Sequence, residues 1–176
     1  LNLKNVINSI KLINHRDGLN ISRRRITIST VGIVDGIDEL TEQDLGVNLV
    51  LSLHAPNNFI RKKITPHARD TNVKDILNSI DAYSAKTKRE ATFEYILIDY
   101  VNSELDHADE LAFLLKDKKC CVNLIPYNPV PKIKYKRPPS SKIRAFKERL
   151  ESKGLNVTQR YTKGDDIAAA CGQLAI

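Results

Sequence analysis

Cys171 stands in the closing stretch "GDDIAAACGQLAI", preceded by three alanines and followed by a glycine, with Asp165 and Asp166 upstream. Alanines bury little area, so this is poor core material, and a thiol among small residues is reachable by a large reactant. Such a cysteine is either a nucleophile, acting as thiolate, or an inert thiol in a tail. Three other short segments carry groups suited to holding a ligand: Ser29 in "TISTVG", Ser52 and His54 in "SLHAPN", and Asn128 in "NLIPYNP". His54 suits a general base, a metal ligand or a hydrogen-bond donor. No second His or Cys stands at ligand spacing from it, which makes a metal the least supported role. Ser52 and His54, two apart at a strand end, suit contact with one ligand better than a nucleophile–base pair. Asn128, between Pro126 and Pro129, is either an amide held for recognition or an ordinary Asx turn.

These segments need elements to position them. Leu3, Val6, Ile7, Ile10 and Ile13 fall at helical spacing, and "RRRITIST" reads as a strand. A short helix over 35–44, a strand over 47–53 and a helical turn or two over 57–64, ending near Pro66, follow. Val73, Ile76, Leu77, Ile80 and Tyr83 predict a long amphipathic helix capped by Thr71 or Asn72. Next come a strand at 92–98, a helix carrying Leu105, Ala108, Leu111, Ala112 and Leu115, and a strand at 121–126. A loop rich in proline and lysine runs from Tyr127 to Pro139; Ile143, Phe146 and Leu150 mark a last helix, stopped at Gly154, before the strand "LNVTQRY". Strand and helix alternate throughout, which predicts a parallel α/β sheet.

The strands are two-faced. Val47, Leu49, Leu51 and Leu53 alternate with Asn48 and Ser52; Thr27 and Ser29 alternate with Ile26 and Ile28. Thr92 and Glu94 alternate with Phe93, Tyr95 and Leu97, and Asn123 sits between Val122 and Leu124. Successive side chains point to opposite faces, so four strands share one polar face. A closed eight-stranded barrel packs its interior with branched apolar residues. A polar inner face predicts a wider, incompletely closed barrel holding a ligand at its carboxyl edge.

Composition agrees with one globular domain: 176 residues, 41% hydrophobic, 28% charged. No apolar run is long enough to span a membrane, and no secretory signal opens the sequence. Three cysteines, two adjacent at Cys120 and Cys121, make no disulfide framework, which suits a reducing cytoplasm. A net charge of +7 suits a nucleic-acid partner. Lys132, Lys134, Lys136 and Arg137 around Tyr135, with Arg23–Arg25, are the candidate phosphate contacts. The sequence contains no methionine and begins Leu1-Asn2-Leu3-Lys4, which reads as a piece of a longer protein.

"SLHAPN", "NLIPYNP" and "GDDIAAACGQL", in this order and spacing, resemble the radical S-adenosylmethionine methyltransferases of the RlmN type, which modify carbon 2 of an adenosine in 23S rRNA. The resemblance covers essentially the whole sequence. It implies a parallel-stranded partial (β/α) barrel of the radical-SAM type, truncated at its amino-terminal side, that holds S-adenosylmethionine beside a 4Fe–4S cluster. Ser29, Ser52, His54 and Asn128 would contact S-adenosylmethionine. Cys171, in the segment 164–176, would be the catalytic methyl carrier through an S-methylcysteine intermediate. Implied partners are 23S rRNA, tRNA and an electron donor such as flavodoxin, with no membrane. The family's C-x-x-x-C-x-x-C cluster segment and glycine-rich "GEP"-type motif are absent from these residues, and Ala168 stands where relatives often carry an acid. The expectation is that the amino-terminal RNA-recognition domain and the resolving cysteine lie upstream, and that these residues alone are inactive and bind no iron. Cys120 and Cys121 read as small core residues. Two related readings stay open: Cfr-type methylation of carbon 8, which gives ribosomal antibiotic resistance, and a barrel fragment that only binds RNA or another protein. An unrelated phosphate-binding enzyme would need a glycine-rich strand-to-helix loop, and neither a P-loop nor G-x-G-x-x-G is present.

Overall fold

The computed structural model describes residues 2–66, 70–130, 133–160 and 173. Its elements, in order, are α1 (Leu3–Asn14), β1 (Thr27–Thr30), α2 (Val34–Glu42), β2 (Asn48–Ser52), α3 (Asn58–Ile64) and α4 (Val73–Thr87). There follow β3 (Ala91–Leu97), α5 (Leu105–Leu114), β4 (Cys120–Pro126), α6 (Ser140–Ser152) and β5 (Asn156–Gln159). The five strands are parallel and lie side by side in chain order, β1-β2-β3-β4-β5. Right-handed crossovers between neighbours taken in sequence put every connecting helix on one face.

Side-chain alternation sorts the residues accordingly. On the helix-covered face Leu49, Leu51, Phe93, Tyr95, Val122 and Leu124 are at most 1% exposed. Against them pack Ile76 and Ile80 of α4, Leu111 of α5 and Phe146 of α6. The rings of Tyr95 and Phe146 lie 5.5 Å apart, tilted by 31°. Asn72 is the cap of α4, its side chain accepting from Lys74 N at 2.9 Å, and Asn58 accepts from Val73 N at 2.8 Å. Gly32 turns the chain out of β1 at φ +89°, and a Cβ there would meet Ile76 Cδ1 at 2.8 Å. Both facts require glycine.

Three predicted strands are shorter than the pattern suggested; the one over 47–53 narrows to Asn48–Ser52. Arg23–Arg25 form a single 3-10 turn, and β1 starts only at Thr27. The side-chain amide of Asn48 donates to Arg24 O at 2.8 Å and so takes a carbonyl that a longer ladder would have used. β5 spans Asn156–Gln159 rather than running from Leu155 to Tyr161. Tyr161 lies outside the described residues.

Replacing Phe146 with alanine is expected to cost about 3–5 kcal/mol of folding stability, because it empties a fully buried position between α6 and β3. Phe113, 78% exposed, should tolerate alanine within about 0.5 kcal/mol. Urea unfolding of the two variants measures the difference.

Candidate functional site

The other face of the sheet is polar and only half-buried. The strand register lines up Ser29, Val50, Thr92, Cys121 and Asn156 in one row and, one row nearer the carboxyl edge, Ser52, Glu94, Asn123 and Thr158. Paired side chains of neighbouring strands share a face. Ser52 Oγ donates to Glu94 Oε2 at 3.4 Å, and Thr158 Oγ1 donates to Asn123 Oδ1 at 3.1 Å. Parallel sheets are ordinarily covered on both faces. Among the described residues no helix covers this one, and its side chains suit a polar occupant.

Cys120 and Cys121 divide between the two faces. Cys120 packs in the core, where burial pushes its thiol up to about 11. Cys121 is half-buried on the polar face, with its Sγ 3.8 Å from Thr158 Oγ1. Adjacent residues of a strand cannot both face the core.

His54 is set at the carboxyl end of β2 by an unusual backbone. Leu53 N and His54 N both donate to Glu94 O, at 3.1 and 3.0 Å, and His54 adopts φ +59°. This bulge turns the imidazole toward β3, where Nδ1 accepts the Ile96 N–H at 3.3 Å. The ring thereby replaces a strand carbonyl. Loss of solvation in this setting, reinforced by the nearby Arg61 charge, lowers the His54 pKa to about 4. The imidazole is therefore neutral at pH 7, and with Nδ1 accepting, its proton sits on Nε2.

Two residues that sequence reasoning passed over hold this edge together. Asn102, fully buried, accepts from Ile98 N at 2.8 Å and donates to His54 O at 2.8 Å and to Ile96 O at 2.6 Å. Arg61, 1% exposed, donates from Nη1 to Ser52 O at 3.0 Å and Leu53 O at 2.6 Å, and from Nη2 to Val31 O. Burial lowers its pKa to about 10, which leaves it protonated at pH 7. Asn102 had one faint signal, an asparagine just past a strand. Arg61 had one too, a charge beside Ile60 on the inward side of a short helix.

Asn128 lies beyond β4 and is buried; its Oδ1 accepts from Arg137 Nη2 at 2.7 Å, while Arg137 Nε donates to Tyr127 O at 2.8 Å. Arg137, expected among the phosphate contacts, thus serves the loop itself. Gln173 Nε2 donates to Pro129 O at 3.0 Å, beside Asn128. Ser29 and Ser52 share the polar face on adjacent strands; His54 adjoins β3 at the edge, and Asn128 follows β4 at that same edge. Cys171 lies outside the described residues, as does Lys132. No three His, Cys, Asp or Glu side chains gather as a metal-ligand set among the described residues.

No family model matches the sequence. Individual proteins do. "Probable dual-specificity RNA methyltransferase RlmN 2" of Protochlamydia amoebophila is 56% identical over 99% of this chain and 49% of its own length. A second, "Probable dual-specificity RNA methyltransferase RlmN" of Caldicellulosiruptor saccharolyticus, is 50% identical over 98% of this chain and 50% of its own. The chain is homologous to part of the RlmN-type proteins. It spans about half the length of these curated relatives. A crystal structure of a radical SAM methyltransferase from Sphaerobacter thermophilus superposes with a TM-score of 0.92 at 40% identity, covering 97% of this chain and 50% of that one. A domain of a pyruvate-formate lyase-activating enzyme from Bacteroides vulgatus matches with a TM-score of 0.67 at 17% identity over 90% of this chain and 91% of that one, a likeness of fold alone. The expected α/β, parallel-stranded fold of the radical-SAM type is the one observed. The polar face and edge described here belong to a fold that a radical SAM methyltransferase shares.

Replacing Arg61 with methionine is expected to cost about 3 kcal/mol or more, because three buried carbonyls lose a charged donor. It should also raise the His54 pKa from about 4 while leaving it below 6.5, since the Arg61 charge goes and burial stays. Urea unfolding reads the first effect, and NMR titration of the imidazole the second. Independently, His54 takes up a proton near 6.5 when unfolded and near 4 when folded, so its neutral form favours the fold. Its contribution, about 3 kcal/mol, is fully present above pH 6.5 and disappears as pH falls to 4. His54→Asn tolerates the positive φ and keeps an acceptor, so it should flatten this part of the pH–stability curve relative to wild type.

Proposed function

We propose that this chain is the cofactor-holding, methyl-carrying part of a longer radical S-adenosylmethionine enzyme that methylates carbon 2 of an adenosine in 23S rRNA and in tRNA. The observation that carries this reading is the half-buried polar face of a parallel sheet, edged by the neutral, fixed His54, in a chain 56% identical to an RlmN-named protein. Ser29, Ser52, His54 and Asn128 are the residues that hold S-adenosylmethionine. Their groups fit it: hydroxyls on the sheet face, an imidazole with its proton on Nε2, and an amide fixed beyond β4. When bound, S-adenosylmethionine supplies the methyl group and the radical chemistry that an aromatic C–H carbon requires.

The 4Fe–4S cluster fits no donor set among the described residues. This reading puts its ligands, like the resolving cysteine, on residues outside these 176, whose sequence carries no C-x-x-x-C-x-x-C segment. Cys171 is the methyl carrier. As thiolate it is the nucleophilic form, and Ala169, Ala170 and Gly172 around it in sequence leave room for large reactants. Asp165 and Asp166 would raise a nearby thiol pKa, so deprotonation is promoted elsewhere in the complete site. The segment "KGDDI" ahead of the alanines favours the carbon-2 reading over carbon 8. The enzyme is placed in the cytoplasm, with a flavodoxin-type electron donor; no helix among the described residues is long and apolar enough to cross a membrane.

In the whole enzyme, Cys171→Ala is expected to abolish methylation of the adenosine while iron and sulfide content stay at wild-type values. Mass spectrometry of the active enzyme should place the added methyl on Cys171 and on neither Cys120 nor Cys121. Methylated RNA from the alanine variant would overturn the assignment.

A further inference from the structure

A groove of about 530 Å³ opens at the carboxyl edge of the sheet, outside the polar face, between the start of α3, the start of α5 and the loops after β3 and β4. Its walls include Phe59, Lys63, Tyr100, Tyr135, Asp106 and Glu110. Phe59 is 69% and Tyr100 83% exposed. Large aromatic side chains are ordinarily among the more buried, so two rings displayed on one groove require a reason. Tyr100 adopts φ +59°, a conformation that a bulky residue rarely takes. Each ring already has a cation over it: Lys63 Nζ is 3.9 Å from the Phe59 centroid, and Lys142 Nζ is 4.8 Å from that of Tyr100. Tyr135 is fixed edge-on against Tyr127 at 6.0 Å.

The surrounding charge selects the occupant. Lys63 lies over Phe59, and Lys62, Lys134 and Lys136, sequence neighbours of Lys63 and Tyr135, are exposed. Inside the groove are two carboxylates, and Glu110 is oriented by Asn57 Nδ2 at 2.8 Å. Phosphates suit the lysines. Asp106 and Glu110 suit the exocyclic amino group of a base. Exposed rings offer a sequence-tolerant stacking surface. A purely apolar partner would take water from the Asp106 carboxylate and supply no donor in its place.

We propose that this groove holds an unpaired RNA nucleotide flanking the one that reacts, stacked on Phe59 and Tyr100 with its phosphates among the lysines. The inference rests on the RNA-methyltransferase reading, since it takes RNA as the substrate. The test uses the full-length protein at one fixed salt concentration, with an RNA hairpin carrying an unpaired loop and a fully paired duplex of equal length. Phe59→Ala and Tyr100→Asn, the latter compatible with positive φ, are each expected to weaken hairpin binding about tenfold. Duplex binding should stay as in wild type, and Phe59→Tyr and Tyr100→Phe should keep hairpin affinity. Photocrosslinking from 5-iodouridine in the loop should reach Phe59, Tyr100 or Tyr135. Unchanged hairpin affinity in the double variant overturns the groove assignment while leaving the methyltransferase reading intact, and leaves a protein partner as the occupant. Equal losses on hairpin and duplex overturn base stacking. A wild-type protein that binds neither RNA overturns both readings.

Discussion

A single buried guanidinium joins the two strand ends on which the candidate site is built. Arg61 reaches Val31 O beyond β1 and Ser52 O and Leu53 O at the end of β2, so two loops that otherwise diverge share one donor. A buried charge without a carboxylate partner is costly. Here three carbonyl oxygens stand in for the anion, and the group stays protonated with its pKa lowered to about 10. The same charge helps keep His54 neutral. One interaction thus fixes the shape of the edge and reinforces the neutrality that burial imposes on His54.

What the edge borders follows from the sheet. Strands in sequential order receive their helices on one side, and the other side carries mostly polar residues, with Val50 among them. The lateral bonds there include a long one, Ser52 to Glu94 at 3.4 Å, beside Thr158 to Asn123 at 3.1 Å. Tight mutual pairing would have made the face self-sufficient. Loose pairing leaves donors and acceptors facing outward, which is what a polar ligand requires.

The two-faced strands were legible because a period of two is written directly into the residue order: Leu49, Val50, Leu51, Ser52 can be sorted into faces before any fold is known. The caps and helix spans followed from equally local signals, Asn72 among them. Arg61 was not legible. In "NFIRKKI" it is one of three basic residues in a row and looks solvated, and only the tertiary position of α3 under the strand ends separates it from Lys62 and Lys63. Asn102 failed for a related reason: an asparagine after a strand reads as a turn residue, and its bonds to His54 lie 48 residues back in the chain. The "RRR" segment was over-read as strand because propensity cannot foresee that the Asn48 side chain takes the Arg24 carbonyl. Cys171, singled out by its motif, lies outside the described residues.

A common device recurs along the carboxyl edge. After β1, Thr30 Oγ1 accepts the N–H of Gly32; after β2, Arg61 takes two carbonyls; after β3, Asn102 takes two more; after β4, Arg137 takes Tyr127 O and the Asn128 amide oxygen. In each case a side chain completes backbone groups that the ladder has released. Strand ends leave such groups unpaired by necessity, and burying them unpaired would be costly. These bonds hold His54 and Asn128 in place although neither belongs to a regular element. Binding residues on loops are accurate only when a scaffold fixes those loops. Here side-chain-to-backbone bonds provide the fixing, and the polar groups named as ligand contacts are spaced by the strands beneath them.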